Sequence, residues 1–232
     1  MRNPRRIQIT NEMLTGQSIS TSPPPENSLF WKMWNKSKCT ADDALNTDFI
    51  QGIKTGTLPP VAYGGFNVSD AYYCFNGADA YLAAEARATD PDLKKLLLHK
   101  YNSYQSYNET FPKIWRVRDA RGVIPLPIVK EYSDFEAQVA SHEEPIYTLI
   151  VMIPCEYLWY WLASQLSPPD PSNLYEPWIT GNSDPSGAYA MGNFLNTYQN
   201  KYPEKVDEGK AIELYSQAMT YEQGNFAAGY VK

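Results

Sequence analysis

From Phe30 onward, apolar residues recur every three or four positions, and the period-two alternation that marks half-buried strands is scarce. Helices are therefore expected throughout. Asp42 to Ile53 reads as one, halted by Gly56-Thr57-Leu58-Pro59. Ser69 is placed to cap a second that runs through Asp79 toward Ala86. Pro91 opens a third, with Leu93, Leu96, Leu97 and Tyr101 on one face. A looser stretch, Arg116 to Pro127, leads to a helix around Tyr132 to Ala140, and Pro145 starts the most apolar helix, through Ala163. Residues 167–187 hold five prolines and read as a long surface connection. Two helices near Ala188–Tyr202 and Val206–Ala228 close the chain. The expected fold is all-α: one helical bundle over residues 28–232, built round a central apolar helix, behind a polar, flexible arm at 1–27.

Length and composition support a single core, at 232 residues and 43% hydrophobic. The 18 tyrosines are unusual; most suit packing with a hydroxyl at a rim, and some could line a polar-aromatic site. A net charge of −6 gives no basic stripe for a phosphate backbone, so nucleic acid is not an expected partner. The one basic cluster, Arg2, Arg5 and Arg6, lacks the apolar run of a signal peptide. The longest apolar run, Ile146 to Tyr157, is broken by Glu156, which favours a buried core helix over a membrane span. Cys39, Cys74 and Cys155 have no metal-ligand spacing and suggest a reducing, cytoplasmic setting. With only His99 and His142, a His-rich metal centre is not expected.

Three positions invite chemistry. Cys155 follows Pro154 inside the central helix, where proline removes a backbone hydrogen bond and can open a turn to a ligand; an inert buried thiol is the plainer alternative. Asp70 and Tyr73 share a helix face with Phe66 and Gly77, so Asp70 is paired, or faces a polar ligand, or is solvated in a first turn. In the last helix Ile212, Tyr215, Met219, Glu222 and Phe226 form one inward stripe, which puts a carboxylate at a core position. Glu222 is then a paired structural group or a functional one. Trp159, one turn after Cys155, is a core residue or a platform for a planar ring.

Four segments in order resemble the TenA/thiaminase II family. Phe49-Ile50-Gln51-Gly52-Ile53-Lys54-Thr55-Gly56-Thr57-Leu58-Pro59 is similar to its F-x-x-G-I-x-x-G-T-L-P opening. Asp70-Ala71-Tyr72-Tyr73 resembles its D-x-x-Y, Ile153-Pro154-Cys155 its L-P-C, and Tyr221-Glu222 its closing Y-E-x-x-F-W. The resemblance spans roughly residues 29 to 230. It implies a heme-oxygenase-like helical fold, a homo-oligomer (dimer or tetramer), and no metal or organic cofactor. The implied activity is hydrolysis of 4-amino-5-aminomethyl-2-methylpyrimidine, and of thiamin, to the hydroxymethylpyrimidine. By position, Cys155 would be the nucleophile, and Asp70 would hold the pyrimidine amino group and influence the thiol. Glu222 would bind a ring nitrogen and move protons, Tyr73 would stack on the ring, and Tyr132 would be a pocket tyrosine. Phe66, Trp159, Tyr160, Asn225 and Phe226 are the further candidates for the substrate-binding surface.

Thiolate addition to the ring, with a carboxylic acid protonating a ring nitrogen, makes an electron-rich adduct that can expel an amine or thiazole. Two positions depart from the family pattern. Trp159 stands where it has tyrosine four residues after the cysteine, and Asn225 where it has phenylalanine three residues after the glutamate. Indole only donates, so it cannot replace a phenol in both roles. These departures open a second reading, a thiaminase I-like transferase that passes the pyrimidine to an amine, pyridine or thiol. A non-catalytic pyrimidine-binding protein is the alternative from another class, and retention of Cys155, Asp70 and Glu222 together weighs against it. Quinone-synthase-like and di-iron relatives of the fold fit poorly with two histidines.

Overall fold

A computed structural model describes residues 19–230; the Arg2, Arg5 and Arg6 cluster lies outside them, as does most of the expected arm. Eleven α-helices and no strands are present among the described residues. They are α1 (Leu29–Lys36), α2 (Lys38–Leu45), α3 (Asp48–Thr55), α4 (Pro60–Arg87), α5 (Pro91–Asn108), α6 (Thr110–Ile114), α7 (Pro127–His142), α8 (Pro145–Leu166), α9 (Glu176–Gly181), α10 (Ser186–Lys201) and α11 (Glu208–Ala228). The all-α bundle expected from periodicity is what forms.

Helix α8 is the central post. Helices α4, α5, α7, α10 and α11 pack around it, with the short α2 and α9 closing the remaining sides. It is long and apolar enough to cross a membrane by composition, but 83% of its most apolar window is buried inside the bundle. It runs unbroken past Pro154, which has no N–H to give the Ile150 carbonyl one turn back.

Several boundaries differ from the sequence expectation, each for a local reason. The helix expected over Asp42–Ile53 is two. Thr47 interrupts it: its hydroxyl donates to the Ala44 carbonyl at 2.8 Å, and its oxygen caps α3 through the Ile50 N–H at 3.4 Å. Gly56 then ends α3 in the left-handed region at φ 73°, and the Thr57 and Leu58 N–H groups fold back on the Gly52 carbonyl at 2.9 and 3.1 Å. Ser69 caps nothing. Pro60 starts α4 three turns earlier, and Ser69 lies buried in mid-helix, where its Oγ accepts the Leu126 N–H at 3.0 Å and anchors the loop into α7. The 167–187 connection contains α9, whose Trp178 and Ile179 are core residues. The described end of the arm is hydrogen-bonded to the bundle: Asn193 of α10 donates to the Ser20 and Ser22 carbonyls at 3.0 and 2.8 Å, and Trp31 to that of Pro24 at 2.9 Å.

Candidate active site

Five helices each contribute part of one buried cluster. Cys155 lies on α8, 1% exposed, with its Sγ 3.4 Å from the Tyr104 hydroxyl of α5. One turn on, the Trp159 indole N–H donates to Glu222 Oε2 of α11 at 3.0 Å. The i, i+4 spacing puts thiol and indole on the same side of α8, and the indole fixes one carboxyl oxygen of Glu222. Glu222 is buried with Tyr215, Met219 and Phe226 on α11, while Ile212 at the head of the expected stripe is half-buried.

Helix α4 brings Phe66, Asp70 and Tyr73 to the same side. Asp70 is buried rather than solvated, and its Oδ2 accepts from the Cys74 thiol at 3.7 Å. Gly77, one turn beyond Tyr73, gives Tyr104 room: a Cβ there would come within 3.0 Å of the Tyr104 ring and 3.2 Å of the Met152 methyl.

Two aromatic groups frame these polar side chains. Tyr73 and Tyr132 stack at 4.8 Å, and Tyr132 stacks in turn on Tyr221 at 5.5 Å. Phe66 and Phe226 stack at 5.6 Å, with the Trp159 ring 5.9 and 5.2 Å from them and Trp178 at 5.6 Å behind it. Tyr73 thus lies against a second tyrosine. Tyr160 is not brought to the cluster: its ring packs with Tyr157 and Tyr189 toward α10. Asn225 is 4% exposed on the Glu222 side of α11, and its Oδ1 has no hydrogen-bond partner among the described residues.

The sequence reading missed Glu136 of α7. It is 1% exposed, and its Oε1 accepts the Tyr73 hydroxyl at 2.8 Å. Burial pushes its carboxyl well above the usual range; the Tyr73 hydrogen bond and, more weakly, the neighbouring Tyr132 hydroxyl oppose this, and nearby Glu222 adds to it. Tyr73 and Tyr132 are held well above the ordinary phenol range, chiefly by burial, with Cys155 and Glu136 as further causes for both. These mutual influences put thiol, phenols and carboxyls in one electrostatic neighbourhood. Also missed was Lys100, 3% exposed on α5 one turn before Tyr104, in an ion pair with Glu156 beside Cys155. Among the described residues, no group of three or more His, Cys, Asp and Glu side chains is placed to hold a metal ion.

A buried thiol, carboxyl groups and flat aromatic walls suit a planar nitrogen heterocycle that must be both held and attacked. The model of the TENA/THI-4/PQQC family matches residues 34–228. No curated protein sequence matches the chain. Similar solved structures include a TenA family transcription regulator from a Silicibacter species (TM-score 0.75, 16% identity, 88% of this chain and 97% of that one). A TenA homologue from Pyrococcus horikoshii OT3 gives 0.75 at 16% identity, covering 88% and 100%. A TenA-like thiaminase candidate from Sulfolobus solfataricus P2 gives 0.67 at 15% identity, covering 86% and 94%.

Proposed function

Since the chain belongs to the TENA/THI-4/PQQC family, we propose that it is a thiaminase-type enzyme that cleaves thiamin or a related aminopyrimidine at the pyrimidine methylene carbon, with water as acceptor. The observation that carries this reading is that the buried Cys155 thiol and the Trp159–Glu222 hydrogen bond lie one turn apart on α8.

The Cys155 sulfur adds to the pyrimidine ring, and its proton passes to the departing amine, or to solvent when a neutral thiazole leaves. Glu222 gives a proton to a ring nitrogen, and the electron pair gained by the ring expels the amine or thiazole from the methylene carbon. Water then adds at that carbon and releases a proton, the ring proton returns to Glu222, and the carbon–sulfur bond breaks as the sulfur takes up a proton to restore the thiol. Nucleophilic and general acid–base assistance are both needed because the methylene carbon alone is a poor centre for displacement. Asp70 fits the role of holding the exocyclic amino group, because it is buried on the side of α4 that also carries Phe66 and Tyr73. Phe66, Phe226 and Trp159 supply apolar ring faces.

Incubation of thiamin and of 4-amino-5-aminomethyl-2-methylpyrimidine with the protein, followed by product analysis, tests the proposal. Hydroxymethylpyrimidine is expected from one or both. No cleavage of either would leave pyrimidine binding without catalysis as the surviving reading.

A further inference from the structure

Glu136 is a titratable group deep in the bundle to which the proposed reaction gives no task. It lies on α7 one turn after Tyr132, 1% exposed, and takes the Tyr73 hydroxyl proton on Oε1 at 2.8 Å. Its other oxygen, Oε2, is fully enclosed and has no hydrogen-bond partner among the described residues. Helix α7 packs against α4, α11 and α8. Facing Glu136 are Tyr73 from α4 and Glu222 from α11, with Tyr132 from its own helix. Tyr73 in turn lies near Cys155 and Met152 of α8 and Tyr104 of α5. None of these groups is a cation.

We propose that Glu136 is a positioning residue, held as a neutral carboxylic acid, that accepts the Tyr73 hydroxyl hydrogen bond and so leaves the Tyr73 oxygen as a hydrogen-bond acceptor toward the substrate. The inference rests on the thiaminase reading and deepens it. An ionised carboxylate with one oxygen unsolvated, and a second carboxyl group nearby, is far more costly than a neutral acid with one unmet O–H. The upward displacement of its titration by burial agrees with that geometry. A phenol has one proton. Once it is committed to Glu136, only a lone pair faces the thiol side of the cluster. Tyr73 can then accept an N–H from the amino group of an aminopyrimidine, but it cannot protonate a ring nitrogen. Proton delivery to the ring is left to Glu222. Two buried carboxyl groups thus divide the work, one kept as a neutral orienting group and one available for transfer.

The test uses the full chain with Glu136→Gln and Glu136→Leu. In the infrared spectrum at neutral pH, wild type should show a protonated-carboxyl C=O band that Glu136→Gln lacks. Glu136→Leu removes the acceptor for Tyr73 and should weaken hydroxymethylpyrimidine binding and lower kcat/KM by about tenfold or more. Glu136→Gln, whose amide oxygen accepts the same proton, should recover most of that loss. The band reports the protonation state, and the split between the Gln and Leu variants in kcat/KM at equal melting temperature separates positioning from a structural role. An identical carboxyl band in wild type and Glu136→Gln, or equal impairment of the Gln and Leu variants, overturns the proposal. If wild type cleaves neither pyrimidine, the thiaminase reading fails on its own, because the band and the binding measurement still report on Glu136 and Tyr73.

Discussion

Cys155 has its sulfur against the Tyr104 hydroxyl and almost no exposure, so serine fits the same space and any loss of rate reports on chemistry. Cys155→Ser should lower turnover by at least ~10³-fold with the melting temperature little changed, because a serine hydroxyl is a far weaker nucleophile at neutral pH. Turnover within about tenfold of wild type would remove the thiol from the mechanism. Glu222→Gln preserves size and an oxygen for the Trp159 N–H at 3.0 Å, and should still cost ~10²-fold or more in rate. A lowered melting temperature with activity spared would mark Glu222 as a structural partner instead. Asn225 and Trp159, the two departures from the family pattern, are where the choice of acceptor can be tested. The Asn225 Oδ1 is buried without a partner, and the Trp159 N–H is already committed to Glu222. If this arrangement admits a second organic molecule where water would sit, added pyridine or aniline will accelerate thiamin loss and appear joined to the pyrimidine by mass spectrometry. Hydroxymethylpyrimidine as the sole pyrimidine product at saturating acceptor leaves plain hydrolysis.

At the scale of elements, caps and close approaches carry energy that can be measured. Asp90 caps α5 through the Asp92 and Leu93 N–H groups at 3.0 and 2.9 Å, and it also receives Tyr202 and Lys201 from the end of α10 at 2.9 and 3.1 Å. Asp90→Ala should cost about 1 kcal/mol for the cap alone, roughly 2–4 °C in Tm for a chain of this size. The Pro91 signal made this helix legible in sequence. Glu222 was legible for a related reason, since a carboxylate on an apolar stripe stands out. The same test applied to α7 finds Glu136 among Val129, Tyr132, Val139 and Ala140, and applied to α5 finds Lys100 among Leu93, Leu96 and Leu97. Both were visible in principle and were passed over because no recognisable motif surrounds them. Ser69 misled because serine is a strong cap in general, whereas here its hydroxyl serves the distant Leu126 N–H. No local pattern announces a partner 57 residues away. Likewise Tyr160 follows Trp159 in sequence, yet the helical turn sends it toward Tyr189.

Across the whole molecule, Asp90 and Glu136 pull stability in opposite directions with pH. Burial pushes Asp90 up, but the Leu93 N–H, Tyr202 and Lys201 outweigh it and hold its carboxyl below the usual range. Its contribution is present above the unfolded aspartate value of ~3.9 and is lost as pH falls through the lower folded value. Glu136, held above the usual range by burial, works the other way. The unfolded chain releases its proton above ~4.3 while the folded chain keeps it, so stability falls as pH rises past that point. Thermal unfolding across acid and neutral pH should therefore show Glu136→Gln gaining over wild type as pH rises, and Asp90→Asn trailing wild type most at neutral pH. A Glu136→Gln difference that stays flat with pH would contradict a neutral Glu136. Helix α8 has a further consequence during synthesis. It leaves the ribosome before α10 and α11 exist to cover it, and at ~5–20 residues per second it waits seconds in that state. During that interval it is a nascent segment that can pass for a membrane span by length and composition. Glu156, near its middle, opposes such insertion, since an ionised side chain there is costly in lipid. In the folded chain the same carboxylate is matched by Lys100. Glu156→Leu would lift that barrier, and during expression the variant should shift toward the membrane fraction relative to wild type.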